Sequence, residues 1–319
     1  MIGLPAIAAI TFHSGSRPNI ETWMHTSDAS IEIGVYHTAD GQVTMMSLND
    51  YILGVLAAEF QPDTPLNALK AGAVACRTYI IREKTVQGNK ETIAGAHGAD
   101  VTDSASLDMP IMSQQAMNAQ YGVSNPGFLA NLRTAIQSTD GLILTYQNKP
   151  ILAFTTIVST GQTRDAKDVI GSPVPYLKSV PCPADSKSTN RVHLFAFNQE
   201  TLAKDLQISN LIPTNLKIAS TDKLGFVQSV SYGKTVWSGA KFAAILNLPS
   251  SNFTFSSSTS TPSATSKQQL TIKTIGIGSD LGMSLNEASA LAKSGKSWTD
   301  ILQFFYPGTT RQLDADFDI

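Results

Sequence analysis

SLNDYILGVLAAEFQPDTPLNALKAGAVACRTYIIREK, residues 47–84, is the stretch on which the fold class turns. At roughly 100° per residue, Leu48, Ile52, Val55, Leu56 and Phe60 share one side of a helix, and Glu59 falls near the centre of that side. Ser47 stands before Leu48 with Asp50 three residues on, a loose form of the capping box that starts helices. The run Gln61 to Pro65 breaks the helix, and Pro65 is a favoured first-turn residue for the next. The apolar side of that second helix carries Leu66, Leu69, Ala73, Val74, Ile80 and Ile81, with Arg77 near its centre. Two amphipathic helices are therefore expected, each with one charge on its greasy side. Burial of a lone charge is expensive, which leaves two readings open. Glu59 and Arg77 pair across antiparallel helices, which would lower the affinity of the Glu for its proton, or Glu59 faces a cleft where desolvation raises it.

Working outward, residues 31–36 and 43–46 read as a β-hairpin around Ala39-Asp40-Gly41. The segment 88–112 is polar and rich in turns, and QQAMNAQYG and FLANLRTAIQST suggest further helical pieces. GLILTYQNKPILAFTTIVS looks like a hairpin turning at Gln147 to Lys149, and it feeds the polar loop Ser159-Thr160-Gly161-Gln162-Thr163. FVQSVSYGKTVWSG is a β pattern, AKFAAILNL a helical one. The Ser/Thr tract 256–266 is low in complexity and is taken as a surface loop between strands 252–256 and 269–275. Helices over 285–294 and 297–305 and an acidic tail close the chain. The expected fold is α+β: mixed helices and antiparallel sheet, with a smaller, mostly-β inserted region at about 195–250. Residues 1–30 form an N-terminal segment and 31–319 the body.

The chain of 319 residues is 42% hydrophobic, enough for a substantial core. A formal charge of −2 gives no general basic footprint, so nucleic acid is not an expected partner, and an uncharged polymer suits the composition better. Cys76 and Cys182 are the only cysteines, too few to organise the fold by disulfides. Charged residues make up just 15%, and Ser and Thr are abundant, which leans towards an extracytoplasmic protein that binds hydroxyl-rich ligands. No stretch reaches transmembrane length. MIGLPAIAAITF, at the start, is apolar but has no basic residues ahead of it. It reads either as the tail of a membrane anchor or as a buried strand.

The helical pair resembles the signature of the SpoIID/LytB family, in which a Tyr-x-x-Gly-Val-x-x-x-Glu helix precedes Ala-Leu-Lys-Ala-x-Ala-x-x-x-Arg-Thr-Tyr. The resemblance continues in family order through TDGLILTYQNKPILAF, STGQT, PVPYLKSV and GMSLNEASALAKSGKSWTDILQFFYPGT, over residues 43–309. The helical insertion before TDGLILTY is similar to the sporulation branch. That resemblance implies a bacterial cell-wall protein acting on peptidoglycan glycan strands during engulfment. It implies a lytic transglycosylase with Glu59 as the catalytic acid and base, extracytoplasmic and membrane-anchored at the sporulation septum. The implied partners are a cell-wall amidase and a membrane protein of the engulfment machinery. The other reading is a glycan-binding protein that positions or stimulates such an amidase.

Tyr51 is a candidate to stack on sugar rings, or packs in the core. Arg77 is a candidate substrate contact, or is structural. Ser159, Thr160 and Thr163 suit hydrogen bonds to glycan hydroxyls, or simple turn chemistry. The family's Gly-His-Gly-Val-Gly-Met-Ser-Gln appears here as Gly278-Ser279-Asp280-Leu281-Gly282-Met283-Ser284-Leu285, without its His and Gln. Ser284 is retained, and Asp280 either substitutes for a lost polar contact or is an exposed loop carboxylate. Some relatives hold zinc with Cys and His where this chain reads DVTDSASLDMP. His97 has no partners at ligand spacing, so neither a metal nor any other cofactor is expected.

Overall fold

The computed structural model describes residues 30–85, 92–104, 107–257 and 269–317. The apolar N-terminal segment and the Ser/Thr tract from residue 258 on, which carry two of the expectations above, lie outside the described residues. Strands β1 (Glu32–Tyr36) and β2 (Val43–Ser47) form the expected antiparallel hairpin, and β3 (Val101–Thr102) adds to β1 in parallel. Helix α1 (Leu48–Glu59) starts where the Ser47 hydroxyl accepts a hydrogen bond from the Asp50 amide. It ends at Phe60, whose amide still donates to the Leu56 carbonyl. Helix α2 (Leu66–Thr85) follows.

The amphipathic reading of this pair needs correction. Leu48, Tyr51, Ile52, Leu53, Val55, Leu56 and Ala57 of α1 are all buried, and α2 is buried from Ala68 to Ile81 with Lys70 partly covered. A helix that is apolar nearly all round belongs inside. Here α1 packs against α2, against α3 (Gln114–Tyr121) and against α4 (Pro126–Gln137), with the β1–β2 hairpin at its N-terminal end. Small residues on α2 permit the close approach: a Cβ added at Gly72 would sit 2.5 Å from a carbon of the Phe60 ring. Each buried Leu, Ile or Val here contributes roughly 1.5–3 kcal/mol.

Strand β4 (Leu142–Tyr146) turns at Gln147 and Asn148, both with positive φ (51° and 58°), into β5 (Lys149–Pro150). That pair of conformations belongs to the tight hairpin turns that follow strand twist. The chain continues through β6 (Thr155–Thr156) and the polar loop to a second hydrophobic cluster. Around it lie β7 (Val192–Asn198), α5 (Gln199–Asp205), β8 (Lys217–Thr221), β9 (Val227–Tyr232), β10 (Thr235–Ser238), α6 (Gly239–Ile245), β11 (Phe253–Ser257) and β12 (Gln269–Ile275). Phe242, Phe253, Leu270 and Ile272 sit in this second core. Its residues thus run past 250, because β12 pairs with β7 along its whole length, from Gln269 opposite Asn198 to Ile275 opposite Val192.

The chain then returns to the first core. Strand β13 (Met283–Ser284) lies parallel to β6, and α7 (Leu285–Lys293) and α8 (Trp298–Phe305) cover α2. The segment read as an acidic tail is partly a strand. β14 (Thr310–Leu313) pairs antiparallel with β4, and Asp314 beyond it is buried. Thr-Arg-Gln-Leu carries no strand signal of its own, so the open edge of β4 recruits it. The whole is α+β.

Two ion pairs join the clusters, an exposed one between Lys223 and Asp168 at 2.8 Å and a buried one. Arg164, in the polar loop, donates to the Asp222 carboxylate at 2.6 Å and lies 4.0 Å from the centroid of the Phe226 ring. Asp222 also accepts from the amides of Leu224 and Phe226.

Candidate active site

A cleft of about 550 Å³ opens where the two clusters meet. One wall comes from the C-terminal end of α1 and from α2, through Glu59 and Tyr79. The loop Leu107 to Pro110 forms the rim, and the floor is Phe154 to Ile157 with Ile277 to Ser279. The far wall is α6 with the chain from Asn247 to Ser251. The floor depends on a glycine. Gly278 has φ +115°, and a Cβ there would fall 2.2 Å from Thr156 Oγ1.

Glu59 is 8% exposed, and what it does expose faces this cleft. Desolvation raises its pKa to about 8, and a hydrogen bond with the Thr155 side chain opposes that rise only in part. At pH 7 about nine in ten such carboxyls hold their proton. Arg77 is not the partner of Glu59. Its guanidinium is fully buried and donates to the carbonyls of Leu142, at 3.2 Å, and Ile136, at 3.5 Å. The Ile136 carbonyl, in the last turn of α4, also accepts from the Thr139 amide at 3.2 Å, so the guanidinium joins a helix end that is already capped. Of the two readings open in the sequence, the geometry keeps the desolvated acid and drops the Glu59–Arg77 pair.

Most of the other candidate residues are gathered, but behind the cleft floor and not in it. The fully buried carboxylate of Asp185 accepts the amide and hydroxyl of Ser159, the hydroxyl of Ser284 at 2.7 Å and the side-chain amide of Asn286 at 2.9 Å. Asp280 is fully buried too, not an exposed loop carboxylate. It sits at φ +59°, and its Oδ2 accepts both the amide and the hydroxyl of Thr160 at 2.7 Å. Burial, opposed by those two donors, pushes the Asp280 pKa up to about 7. Thr163 is buried and bonded to Lys178 and Val180. The hydroxyls of Ser159, Thr160, Thr163 and Ser284 are therefore committed to protein partners, which corrects their assignment to glycan contacts. Tyr51 is fully buried in the first core and its hydroxyl makes no hydrogen bond, so its ring is not a stacking surface. Its ionisation is suppressed by burial and then by Cys76, Asp108, Tyr79 and Glu59.

Several functional residues escaped the sequence reading. Thr155 and Phe154 lie in what looked like an ordinary hairpin, and α6 approaches from a region read only as β structure with a trailing helix. Asp108 stands in DVTDSASLDMP, where no local pattern singles it out. Its Oδ1 accepts from the Tyr79 hydroxyl at 2.6 Å, and its Oδ2 from the Thr102 amide and hydroxyl at 2.8 and 2.9 Å. His97 stacks on Tyr36 with ring centroids 4.1 Å apart. Among the described residues no three side chains of metal-ligating type converge.

The stage II sporulation protein (SpoIID) family signature matches residues 36–146, which hold α1, α2 and Glu59. Stage II sporulation protein D of Bacillus subtilis (strain 168) is 32% identical over 284 residues, covering 88% of this chain and 78% of that protein. The protein of the same name from Bacillus amyloliquefaciens is 29% identical over 290 residues, with the same coverage of each chain. The amidase enhancer of Bacillus subtilis (strain 168) is 25% identical over 304 residues, covering 81% of this chain but 39% of the enhancer. This chain belongs to the SpoIID family.

Proposed function

We propose that this protein is a lytic transglycosylase acting on peptidoglycan glycan strands in cell-wall remodelling during sporulation. The observation that carries the reading is Glu59, a carboxyl desolvated in the wall of an open cleft, with its pKa pushed up to about 8. A carboxylic acid that keeps its proton at neutral pH can give it to a glycosidic oxygen. In the step proposed, Glu59 protonates the bridging oxygen as the bond from that oxygen to the anomeric carbon breaks. The C6 hydroxyl of the same sugar then forms a new bond to the anomeric carbon, and its proton returns to Glu59. No water is consumed, one carboxyl serves in both directions, and the product carries a 1,6-anhydro end. Simple hydrolysis would instead call for a carboxylate that activates water or forms a glycosyl-enzyme.

Membership of the SpoIID family supports the sporulation role. The location we infer is extracytoplasmic, at the sporulation septum, held there by a membrane anchor. Among the described residues no helix is long and apolar enough to cross a membrane, so the anchor would have to come from elsewhere in the protein. A cell-wall amidase and a membrane protein of the engulfment machinery are the partners we propose.

A second reading has support of its own. The amidase enhancer likeness, and the withdrawal of the loop hydroxyls into a buried network, suit a glycan-binding protein that positions an amidase. Mass spectrometry of peptide-free glycan strands incubated with the protein separates the two. Anhydro ends that appear with the parent and not with Glu59→Gln support the enzyme. Strands that are bound but left uncut support the binding protein.

A further inference from the structure

We propose that Asp108 is a second working carboxylate of the cleft, the group that faces positive charge on the bound sugar ring. The inference rests on the glycan-cleaving reading of the same site and extends it. As the glycosidic bond breaks, the sugar becomes oxocarbenium-like and carries positive charge on its anomeric carbon and ring oxygen. A neutral acid cannot offset that charge before it has given up its proton, so a separate anion in the cleft has a distinct task.

The charge inventory of the cleft points to Asp108. Among the described residues that line it, Glu59 and Asp108 are the only carboxyls, and there is no Lys or Arg. Asp108 also lines a smaller cavity of about 270 Å³ that shares Tyr79, Leu107 and Phe154 with the cleft, so it stands where the two spaces join. The other acidic residues of that smaller cavity, Glu83 and Asp100, do not reach the cleft, and Asp100 pairs with Lys84 at 3.2 Å. All three hydrogen bonds to Asp108 come from uncharged donors on the protein side: the Tyr79 hydroxyl and the amide and hydroxyl of Thr102. They fix its orientation without neutralising it. A purely structural Asp would need no face on the cavity, and a buried ion pair would have brought a cation with it. Preorganised charge of this kind, in a site partly shielded from water, acts on the transition state without reorganising.

The test uses a protonated iminosugar of N-acetylhexosamine shape and its uncharged lactam, titrated against the full protein at pH 6. The parent should prefer the cation by about tenfold or more. Asp108→Asn, an isosteric amide, should bring that preference below about threefold at an unchanged Tm, Asp108→Glu should restore part of it, and Glu59→Gln should retain it. Equal binding of cation and lactam by the parent overturns the assignment without recourse to any variant, and so does a preference that survives Asp108→Asn. Turnover separates this inference from the reading beneath it. If the parent forms no anhydro ends yet its cation preference vanishes in Asp108→Asn, the transglycosylase falls and the charge-binding role of Asp108 stands. If Asp108→Asn forms anhydro ends at the parent's rate, the role of Asp108 falls and the transglycosylase stands.

Discussion

Replacement of Glu59 by Gln tests the chemistry and the electrostatics at once, and the structure sets the size of the second effect. The amide keeps the shape of the neutral acid and cannot transfer its proton, so anhydro-end formation should drop by at least about 10²-fold. Folding stability should respond in a pH-dependent way. The folded pKa of about 8 lies above the ordinary value of 4.5, so the folded protein holds this proton more tightly than the unfolded chain does. Stability drawn from Glu59 is therefore present at low pH and lost as pH climbs from about 4.5 to 8. Between pH 5 and pH 7 the parent should lose roughly 2.5 kcal/mol relative to Glu59→Gln, and between pH 7 and pH 9 a further 1.4 kcal/mol or so. Chemical denaturation of both proteins at pH 5, 7 and 9 reads that difference directly. A gap between parent and variant that does not change with pH would refute the desolvated acid. So would a Glu59→Gln protein less stable than the parent by about 3–5 kcal/mol at pH 7, the signature of a broken buried ion pair. The same protonation predicts the activity profile: turnover should fall as pH rises through about 8, where the acid form disappears.

Three further outcomes follow from named contacts. Arg77→Met takes a buried charged donor away from the Leu142 carbonyl, while the Ile136 carbonyl keeps the Thr139 amide, and should cost about 1–3 kcal/mol. Combined with Glu59→Gln it should be additive within about 0.5 kcal/mol, because the two side chains do not pair; a double-mutant cycle with clear rescue would restore the ion pair discarded above. Asp222→Ala strands the 6% exposed Arg164 guanidinium and should cost about 3–5 kcal/mol while raising protease sensitivity between the two clusters; a loss under about 1 kcal/mol would mean the clamp is idle. Gly278→Ala drives a methyl against Thr156 Oγ1 at a backbone angle that L residues rarely adopt. It should lower stability by about 2 kcal/mol or more and glycan cleavage with it, whereas a variant of parental melting temperature and activity would show that the floor yields.

Local rules were enough for the cap at Ser47, the break at Gln61 to Pro65, the I′-like turn at Gln147 and Asn148 and the strands on either side of the Ser/Thr tract, since each depends on neighbours within a few positions. The placement of Glu59 in a strongly apolar run was legible too, because a carboxyl surrounded by Leu, Val and Phe is either paired or kept protonated by desolvation at a cleft. What periodicity could not supply was the choice between those two. That choice depends on where Arg77 points, and Arg77 is drawn away by the carbonyls at the end of a helix some sixty residues later. The same long-range logic hid Asp108, whose partners Tyr79 and Thr102 come from a helix and a strand that only the packed fold brings together.

The loop residues failed for a more instructive reason. Ser159, Thr160 and Asp280 are polar and lie in loops, and Ser284 ends β13 and caps α7, which is what a substrate-binding set would look like from sequence. A polar turn pressed between two hydrophobic clusters has another obligation, because its backbone and hydroxyl groups lose water and must find partners. Asp185 and Asp280 are those partners. Between them they accept from Ser159, Thr160, Ser284 and Asn286, bonds that join the polar loop to the return of the chain at β13. Nothing near Asp185 in Pro-Cys-Pro-Ala-Asp marks it as buried. Polar residues around the site thus divide into two sets with opposite duties. The buried set holds Thr156 and Gly278 in register as the floor, with the Asp280 amide bonded to Thr156 Oγ1 at 3.3 Å. The cleft-facing set, Glu59 and Asp108, borders the space above it. A substitution in the first set should therefore reach catalysis only by deforming the floor, and its loss of activity should track its loss of stability. In the second set, Glu59→Gln and Asp108→Asn should lower turnover without lowering stability at neutral pH.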